Sequence, residues 1–236
     1  MESIGKSQPT AKTSKGELTR ARILEAALDL FKEQGYEETT MRQVADRAEV
    51  ALGNAYYYFS GKESLLEAYY GTIHREHMAL AAPLLEKQRD LKKRLRGVLE
   101  AQLEVMEPYH RFSALLFRTA ADPDSPLNPF SAQSSEAREE GIELYAHVLE
   151  GAKVKIPKDI APELPRLLWG YSMGVVLFWL HDKSPGRERT QRMVERTVDV
   201  VVRIINLLSN PILRPLRKSA LKTLQELHFD DLEEES

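Results

Sequence analysis

Residues 39–62 read TTMRQVADRAEVALGNAYYYFSGK. This stretch predicts two short helices joined by a tight turn. Thr40 and Gln43 have the spacing of a capping box, in which a threonine accepts from the backbone three residues on and the glutamine side chain returns the bond. Val44, Ala45 and Ala48 then supply one apolar face at helical spacing. Glu49 and Val50 form the turn. Ala51 to Tyr58 is the second helix, with small residues at Ala51, Gly53 and Ala55.

A helix that enters the major groove needs small residues where its backbone nears the bases and donors where it meets phosphates. Gly53 permits close approach, and Asn54 carries an amide for a base edge or a phosphate. Tyr56, Tyr57 and Tyr58 offer hydroxyls on rigid rings, and Lys62 is a candidate phosphate cation. The competing reading is a tyrosine-rich core corner. Adjacent residues on a helix point about 100° apart, so the three rings cannot all face one core.

Extending outward, residues 19–70, TRARILEAALDLFKEQGYEETTMRQVADRAEVALGNAYYYFSGKESLLEAYY, closely resemble the N-terminal DNA-binding domain of TetR-family transcriptional regulators. The match is extended and gap-free and covers the first third of the chain. The remainder is similar to the family only in length and helical character. Carried over by position, the resemblance makes Thr40 the phosphate-contacting cap of the first motif helix and lets Arg42 reach the groove. It places Leu52, Gly53, Asn54 and Tyr56 toward bases and nearby backbone, and Tyr57, Tyr58 and Lys62 toward phosphates. The chain departs from the family pattern at Glu49, where glycine is common, and at Ala51, where serine or threonine is common. A left-handed non-glycine residue costs about 1–2 kcal/mol, and Ala51 lacks a capping oxygen.

Composition bounds the rest. The chain has 236 residues, is 42% hydrophobic and 29% charged, and has a net charge of −3, an ordinary globular mixture. Bulk charge does not announce a nucleic-acid binder, but its distribution is uneven. Lys6, Lys12, Lys15, Arg20 and Arg22 lie near the start, whereas Glu226, Asp230, Asp231, Glu233, Glu234 and Glu235 crowd the end. Cysteine is absent, which excludes disulfides, thiolate metal sites and cysteine nucleophiles. The polar start lacks a signal-peptide core. The longest apolar run, 167–180 (LLWGYSMGVVLFWL), is shorter than the roughly 20 residues that span a bilayer. A cytoplasmic protein with no membrane contact is expected.

Four segments follow from the patterning: a mobile basic arm over 1–17, the helix-turn-helix module over 18–62, a helical body over 63–210, and a C-terminal extension with an acidic tail over 211–236. The fold class is all-α. Within the module, Ile23, Ala26, Ala27, Leu30 and Phe31 make the stripe on which the motif helices pack, and Gly35 suits a C-terminal cap. A helix over 63–85 leaves the module and carries His74 and His77, three residues apart, with no identifiable third metal ligand. Helices follow over 91–109, with a boundary near Pro108, and over 109–121. The proline-rich segment 122–130 reads as a loop. A helix over 131–149 and an irregular connection over 151–165 precede two long helices, 165–181 and 186–210.

Leu103, Met106, Phe112, Leu116, Phe117, Tyr145, Trp169 and Met173 are the candidate lining of an apolar effector pocket, or else plain core. The scarcity of Arg and Lys among them argues against a highly anionic ligand. Gly170 and Gly174 lie four apart and permit close helix approach. They are grouped with Phe178 and with the stripe Val194, Val198, Val201 and Ile205 as the expected dimer interface, a reading the resemblance favours over intrachain core. Leu216, Ala220, Leu224 and Leu227 make a last amphipathic helix.

The chain lacks a G-x-S-x-G elbow, a P-loop, an H-E-x-x-H pair and a dinucleotide glycine pattern. No catalytic role, cofactor or metal is expected. The resulting expectation is a ligand-responsive repressor, a homodimer on a palindromic operator in double-stranded DNA, released by a mostly apolar small molecule. The alternative is a helical protein–protein adaptor, or an enzyme without an identifiable motif.

Overall fold

The computed structural model describes residues 15–120 and 134–226. The expected arm before Lys15, the proline-rich loop 122–130 and the acidic tail from residue 227 lie outside the described residues. Among those residues all regular structure is helical: α1 (Lys15–Gln34), α2 (Met41–Arg47), α3 (Leu52–Tyr58), α4 (Lys62–Lys87), α5 (Leu91–Met106), α6 (His110–Ala120), α7 (Ser135–Glu150), α8 (Leu164–His181), α9 (Glu188–Leu208) and α10 (Arg214–Glu226). The expected single helix over 91–109 ends at Met106, and a short 3-10 turn around Pro108 leads into α6. The chain divides into two compact units after Tyr69, so α4 begins in the first and ends in the second.

The N-terminal unit is built on the α1 stripe. Ile23, Ala27 and Phe31 are buried, with Val44, Ala45 and Ala48 of the first motif helix and Ala55 and Phe59 of the second. Leu65, Leu66 and Tyr69, from the first two turns of α4, are also buried. The capping box forms as read: Gln43 N donates to Thr40 Oγ1, and Thr40 N donates to Gln43 Oε1 at 2.8 Å. Glu49 sits in the left-handed region at φ 53°, so the turn keeps its geometry without glycine. Ala51 begins α3 with no side-chain cap.

The second unit is a helical body. Leu95, Val98 and Leu99 of α5 meet Leu144, Tyr145 and Val148 of α7, Leu168 and Val175 of α8, and Val194, Val198 and Ile205 of α9 in one core. Helices α4 and α5 approach so closely that a β-carbon on Gly97 would stand 2.2 Å from Leu84 Cδ2, which explains glycine there. Asp182 joins α8 to α9. Its carboxylate accepts from the backbone N–H and hydroxyl of both Ser184 and Thr190. Burial pushes this carboxyl up, but those four bonds outweigh burial and hold it far below the usual range. The last helix docks on its own body through buried Leu221 and Arg217. Arg217 Nε donates to Asp159 at 3.2 Å, and its Nη1 reaches carbonyls at the end of α9.

His74 and His77 do not share a ligand. His77 is buried and its Nε2–H donates to Val98 O at 2.8 Å, whereas His74 faces Glu140 at 3.7 Å. Burial lowers the His77 pKa below its ordinary value; the Val98 carbonyl opposes that shift and nearby His74 adds slightly to it. The folded protein therefore favours neutral His77. Its contribution is complete above the unfolded value of about 6.5 and is lost as the pH falls below it. The urea midpoint is expected to drop between about pH 7.5 and about pH 5.5, and to drop less in His77→Gln. An equal drop in that variant would assign the acid sensitivity elsewhere, with His110, also lowered by burial, as the next group to test.

Candidate nucleic-acid interface

The N-terminal unit turns one face of α3 inward and leaves the other open. Ala55 and Phe59, four apart, are buried; Gly53, Asn54, Tyr56 and Tyr57 are exposed, Tyr57 by 81%, and Leu52 and Tyr58 are half-buried. The three tyrosines thus spread around the helix as their angular spacing requires, and none belongs to the buried core. Tyr58 meets Tyr57 edge-on, with centroids 5.1 Å apart, so each ring restricts the other's rotamers. No atom lies within 4 Å of the place a Gly53 β-carbon would take. Its glycine is not demanded by packing among the described residues.

On α2, Arg42 is exposed and has no ion pair among the described residues. Its neighbour Arg47 is committed: Nη1 and Nη2 bind both oxygens of Glu33 on α1 at 3.0 and 2.7 Å, and the guanidinium lowers the Glu33 carboxyl. Thr40 is exposed, and its hydroxyl proton goes to Gln43 Oε1 at 2.9 Å. Arg20, a cation of α1 not assigned to the site from sequence, lies over the Phe59 ring at 4.8 Å.

Lys62 occupies a different environment from the free phosphate cation expected. Its ammonium donates to the carbonyls of Tyr36 and Glu37 at 2.8 and 3.2 Å and lies 4.4 Å from the Tyr36 ring centroid. Tyr36 OH meets Glu63 at 3.4 Å, and burial, with Glu63 adding to it, raises that phenol well above its usual range. Lys62 therefore fastens the α1–α2 connection to the start of α4. Gly35 precedes this joint at φ 96°, where an L side chain is strained.

In the second unit the eight expected pocket residues divide. Leu103, Met106 and Phe117 pack with Val176, Trp179 and Leu180. Phe112, Leu116 and Tyr145 are core, with exposures of 4% or less. Only Trp169 and Met173 of the eight line a cavity of about 140 Å³, together with Tyr70, Ser134, Ala137 and Arg138. Sequence reading missed these last four. Arg138 lies in a charge-rich stretch that reads as solvated, and here it stands on the cavity wall. Leu103 borders a separate open cleft of about 960 Å³, beside Glu104, Glu107 and Arg187. There Arg187 Nε donates to Glu107 at 3.0 Å and the guanidinium lies 5.2 Å from the Trp179 centroid.

The expected interface residues also divide. Val194, Val198 and Ile205 are buried in the chain's own core at 3% exposure or less, with Val201 packed beside them. α5 and α8 cover the three buried side chains on this side of α9, whereas Val201 is half-buried. Gly170, Gly174 and Phe178 are exposed, together with Leu167 and Leu177 on α8 and Val200, Ile204 and Leu207 on α9.

Two family models match the chain: "Bacterial regulatory proteins, tetR family" over residues 23–69, and "Tetracyclin repressor-like, C-terminal domain" over residues 94–227. This chain belongs to the TetR family of transcriptional regulators. Among curated TetR-type relatives, the regulator SrpR of Pseudomonas putida is 23% identical over 77% of this chain and 83% of its own. The repressor KstR of Rhodococcus jostii is 53% identical, over only 20% of this chain and 22% of its own. The repressor KstR2 of Mycobacterium tuberculosis is 29% identical over 39% of this chain and 46% of its own. Among solved TetR-like structures, the fatty acid degradation regulator FadR of Bacillus halodurans aligns at TM-score 0.61 and 17% identity, covering 76% of this chain and 94% of that one. The SmeT–triclosan complex aligns at TM-score 0.61 and 18% identity, covering 78% and 91%. At these identities the two structures attest the fold.

For this TetR-family chain the geometry separates two classes of variant. Arg42→Ala is expected to relax preference at particular base positions, at a cost of about 1–3 kcal/mol per position. A uniform loss across sequences would instead make Arg42 a phosphate contact. Lys62→Met is expected to lower the melting temperature and to leave the slope of log K against log salt unchanged. A slope flatter by about 1 would return its ammonium to the phosphates.

Proposed function

We propose that this protein is a ligand-responsive repressor that binds a palindromic operator as a homodimer and is released by a mostly apolar small molecule. The observation that carries this reading is the outer face of α3. Gly53, Asn54, Tyr56 and Tyr57 stand clear of the core on a helix held by buried Ala55 and Phe59. Leu52, Asn54 and Tyr56 are assigned to base edges with Arg42 beside them, and Thr40, Tyr57 and Tyr58 to phosphates. One such helix reads only a few base pairs, so specificity requires two, and a two-fold dimer selects an inverted repeat.

The exposed apolar face of α8 and α9 supports the homodimer. Leu167, Leu177, Phe178, Val200, Ile204 and Leu207 stand on adjacent helices that are joined by the 2.6 Å bond between Tyr171 and Thr197. Gly170 and Gly174 leave open space on the same side of α8, which lets a second helix approach. Contiguous apolar surface of this kind marks an association site.

The 140 Å³ cavity is assigned to the effector. Trp169 and Met173 supply apolar wall, and Arg138, Ser134 and Tyr70 supply the few polar groups that orient a ligand. The cavity is smaller than the roughly 300–1,000 Å³ of drug-sized sites, so an effector of that size enters only as the walls part. Binding to an expanded state shifts its population, and linkage then makes operator and effector weaken each other by the same factor. The triclosan bound to SmeT shows that a neighbour of this fold takes an apolar small molecule.

Selection from random duplex DNA tests the reading as a whole, with enrichment of an inverted repeat as the expected outcome. A protein–protein adaptor would enrich none. For assembly, Ile204→Glu is expected to yield a folded monomer that has lost specific binding, whereas Val198→Glu is expected to unfold the body. A dimeric Ile204→Glu protein on sedimentation would remove this face from the interface.

A further inference from the structure

Local chemistry does not favour an arginine at position 187. The residue occupies the N-cap of α9, gives no side-chain capping bond, and sits in the left-handed region at φ 52°. A non-glycine residue is strained there, and a cation opposes the positive end of the helix dipole. The place its side chain takes accounts for it. The guanidinium lies in the open cleft of about 960 Å³, 5.2 Å from the Trp179 ring centroid, with Nε 3.0 Å from Glu107 Oε2. Trp179 Nε1 also donates to Glu107 Oε2, at 3.1 Å, which sets the carboxylate at the edge of the indole. His110 meets the same indole edge-on, with centroids 4.5 Å apart, and fixes its orientation. A planar cation on the ring face therefore reaches the carboxylate as well, and gains cation–π attraction together with a charge-assisted hydrogen bond.

The rest of the cleft suits the same chemistry. Glu100 and Glu104 of α5 continue the acidic wall that ends at Glu107, and Leu103 and Pro108 add apolar surface. The volume lies within the roughly 300–1,000 Å³ of small-molecule sites. The seat on Trp179 does not depend on Arg187. Asp182 binds the backbone and hydroxyl of Ser184 and of Thr190, and so holds the connection from α8 to α9 on both sides of that residue. The Glu107 side chain is 53% exposed, and an ion pair at such a carboxylate adds little stability. We propose that this cleft is a binding site for an organic cation, an amidinium or guanidinium on an apolar body, and that Arg187 fills the seat in the ligand's absence. The ligand displaces one guanidinium with another flat cation and leaves Glu107 paired. The cleft shares no wall residue with the 140 Å³ cavity, so this site stands apart from the effector reading.

Benzamidinium and its neutral counterpart benzamide are the probes. Each is titrated into the isotope-labelled whole chain while the indole N–H resonances of its two tryptophans are followed by NMR. Glu107→Gln, which changes the acceptor of the Trp179 indole, identifies the Trp179 signal. Benzamidinium is expected to shift that signal saturably, and benzamide to bind about tenfold more weakly or not at all. Arg187→Gly suits the left-handed backbone and empties the seat. It is expected to tighten benzamidinium about tenfold, the factor by which an occupied seat lowers apparent affinity when about one molecule in ten is vacant. Adding Glu107→Gln is expected to reverse that gain. If Arg187→Gly does not fold, Arg187→Asn, which also tolerates the left-handed region, takes its place and is read the same way. An arginine that only braces the connection would lower the melting temperature on removal and leave benzamidinium affinity unchanged or weaker, and that result overturns the proposal. Equal affinity for benzamide overturns it as well.

Discussion

Every helix leaves four N–H groups at its start and four carbonyls at its end without intrahelical partners. In a fold made only of helices, this constraint decides which polar residues must be buried. Asp182 supplies acceptors to the start of α9, Asp90 caps α5 through Lys93 N, and Thr40 with Gln43 closes the start of α2. Arg94 answers the ends of α4 and α7, and Arg217 answers the end of α9. Among the described residues, three buried charges thus stand at helix ends, Asp182 at a start and Arg94 and Arg217 at C-terminal ends, as the dipole requires. Apolar burial drives the helices together. The polar ends determine which packings are allowed, because an unsatisfied buried carbonyl or N–H costs about 1–3 kcal/mol.

What could be read from sequence follows the range of each interaction. The capping box is local to four residues, and it formed as written. The alternation of inward Ala55 and Phe59 with outward Asn54, Tyr56 and Tyr57 follows from helical geometry alone. Arg94 was illegible for the opposite reason. It stands in LKKRLRG, a run of cations that reads as a solvated face. Its burial depends on carbonyls of His147 and Val148, more than fifty residues away, and no local pattern announces a meeting of two helix ends. Lys62 is a similar case, since the carbonyls it binds belong to a loop whose course depends on Gly35.

Helix α9 shows how an apolar stripe can be recognised while its partner is not. The spacing of Val194, Val198, Val201 and Ile205 identifies a buried side correctly. It does not say whether this chain or a second one covers it. The structure places α5 against that side, with Lys92 reaching Asp199 at 2.6 Å at the margin. A second apolar set, Val200, Ile204 and Leu207, lies around the helix from the first and is interrupted by arginines, which hid it among polar positions. A helix with one apolar face finishes a monomer. A helix with two leaves the second open, and the proposed dimer would cover it.

Helix α4 is divided between the two units. Leu65, Leu66 and Tyr69 belong to the core of the N-terminal unit, whereas Ala81 belongs to the core of the body. Interiors are close-packed, so neither core tolerates the helix shifting by even a methyl group without loss. Under the proposed function, a shift of α4 is therefore a discrete rearrangement rather than a graded strain. Moving an equilibrium from 1:99 to 99:1 takes a preference of about 5.5 kcal/mol between two states. That is comparable to burying two or three large apolar side chains, and the apolar effector proposed above would gain its preference from contacts of that kind with Trp169 and Met173. The mostly apolar effector proposed above and a cavity too small for it at rest are thus parts of one physical requirement.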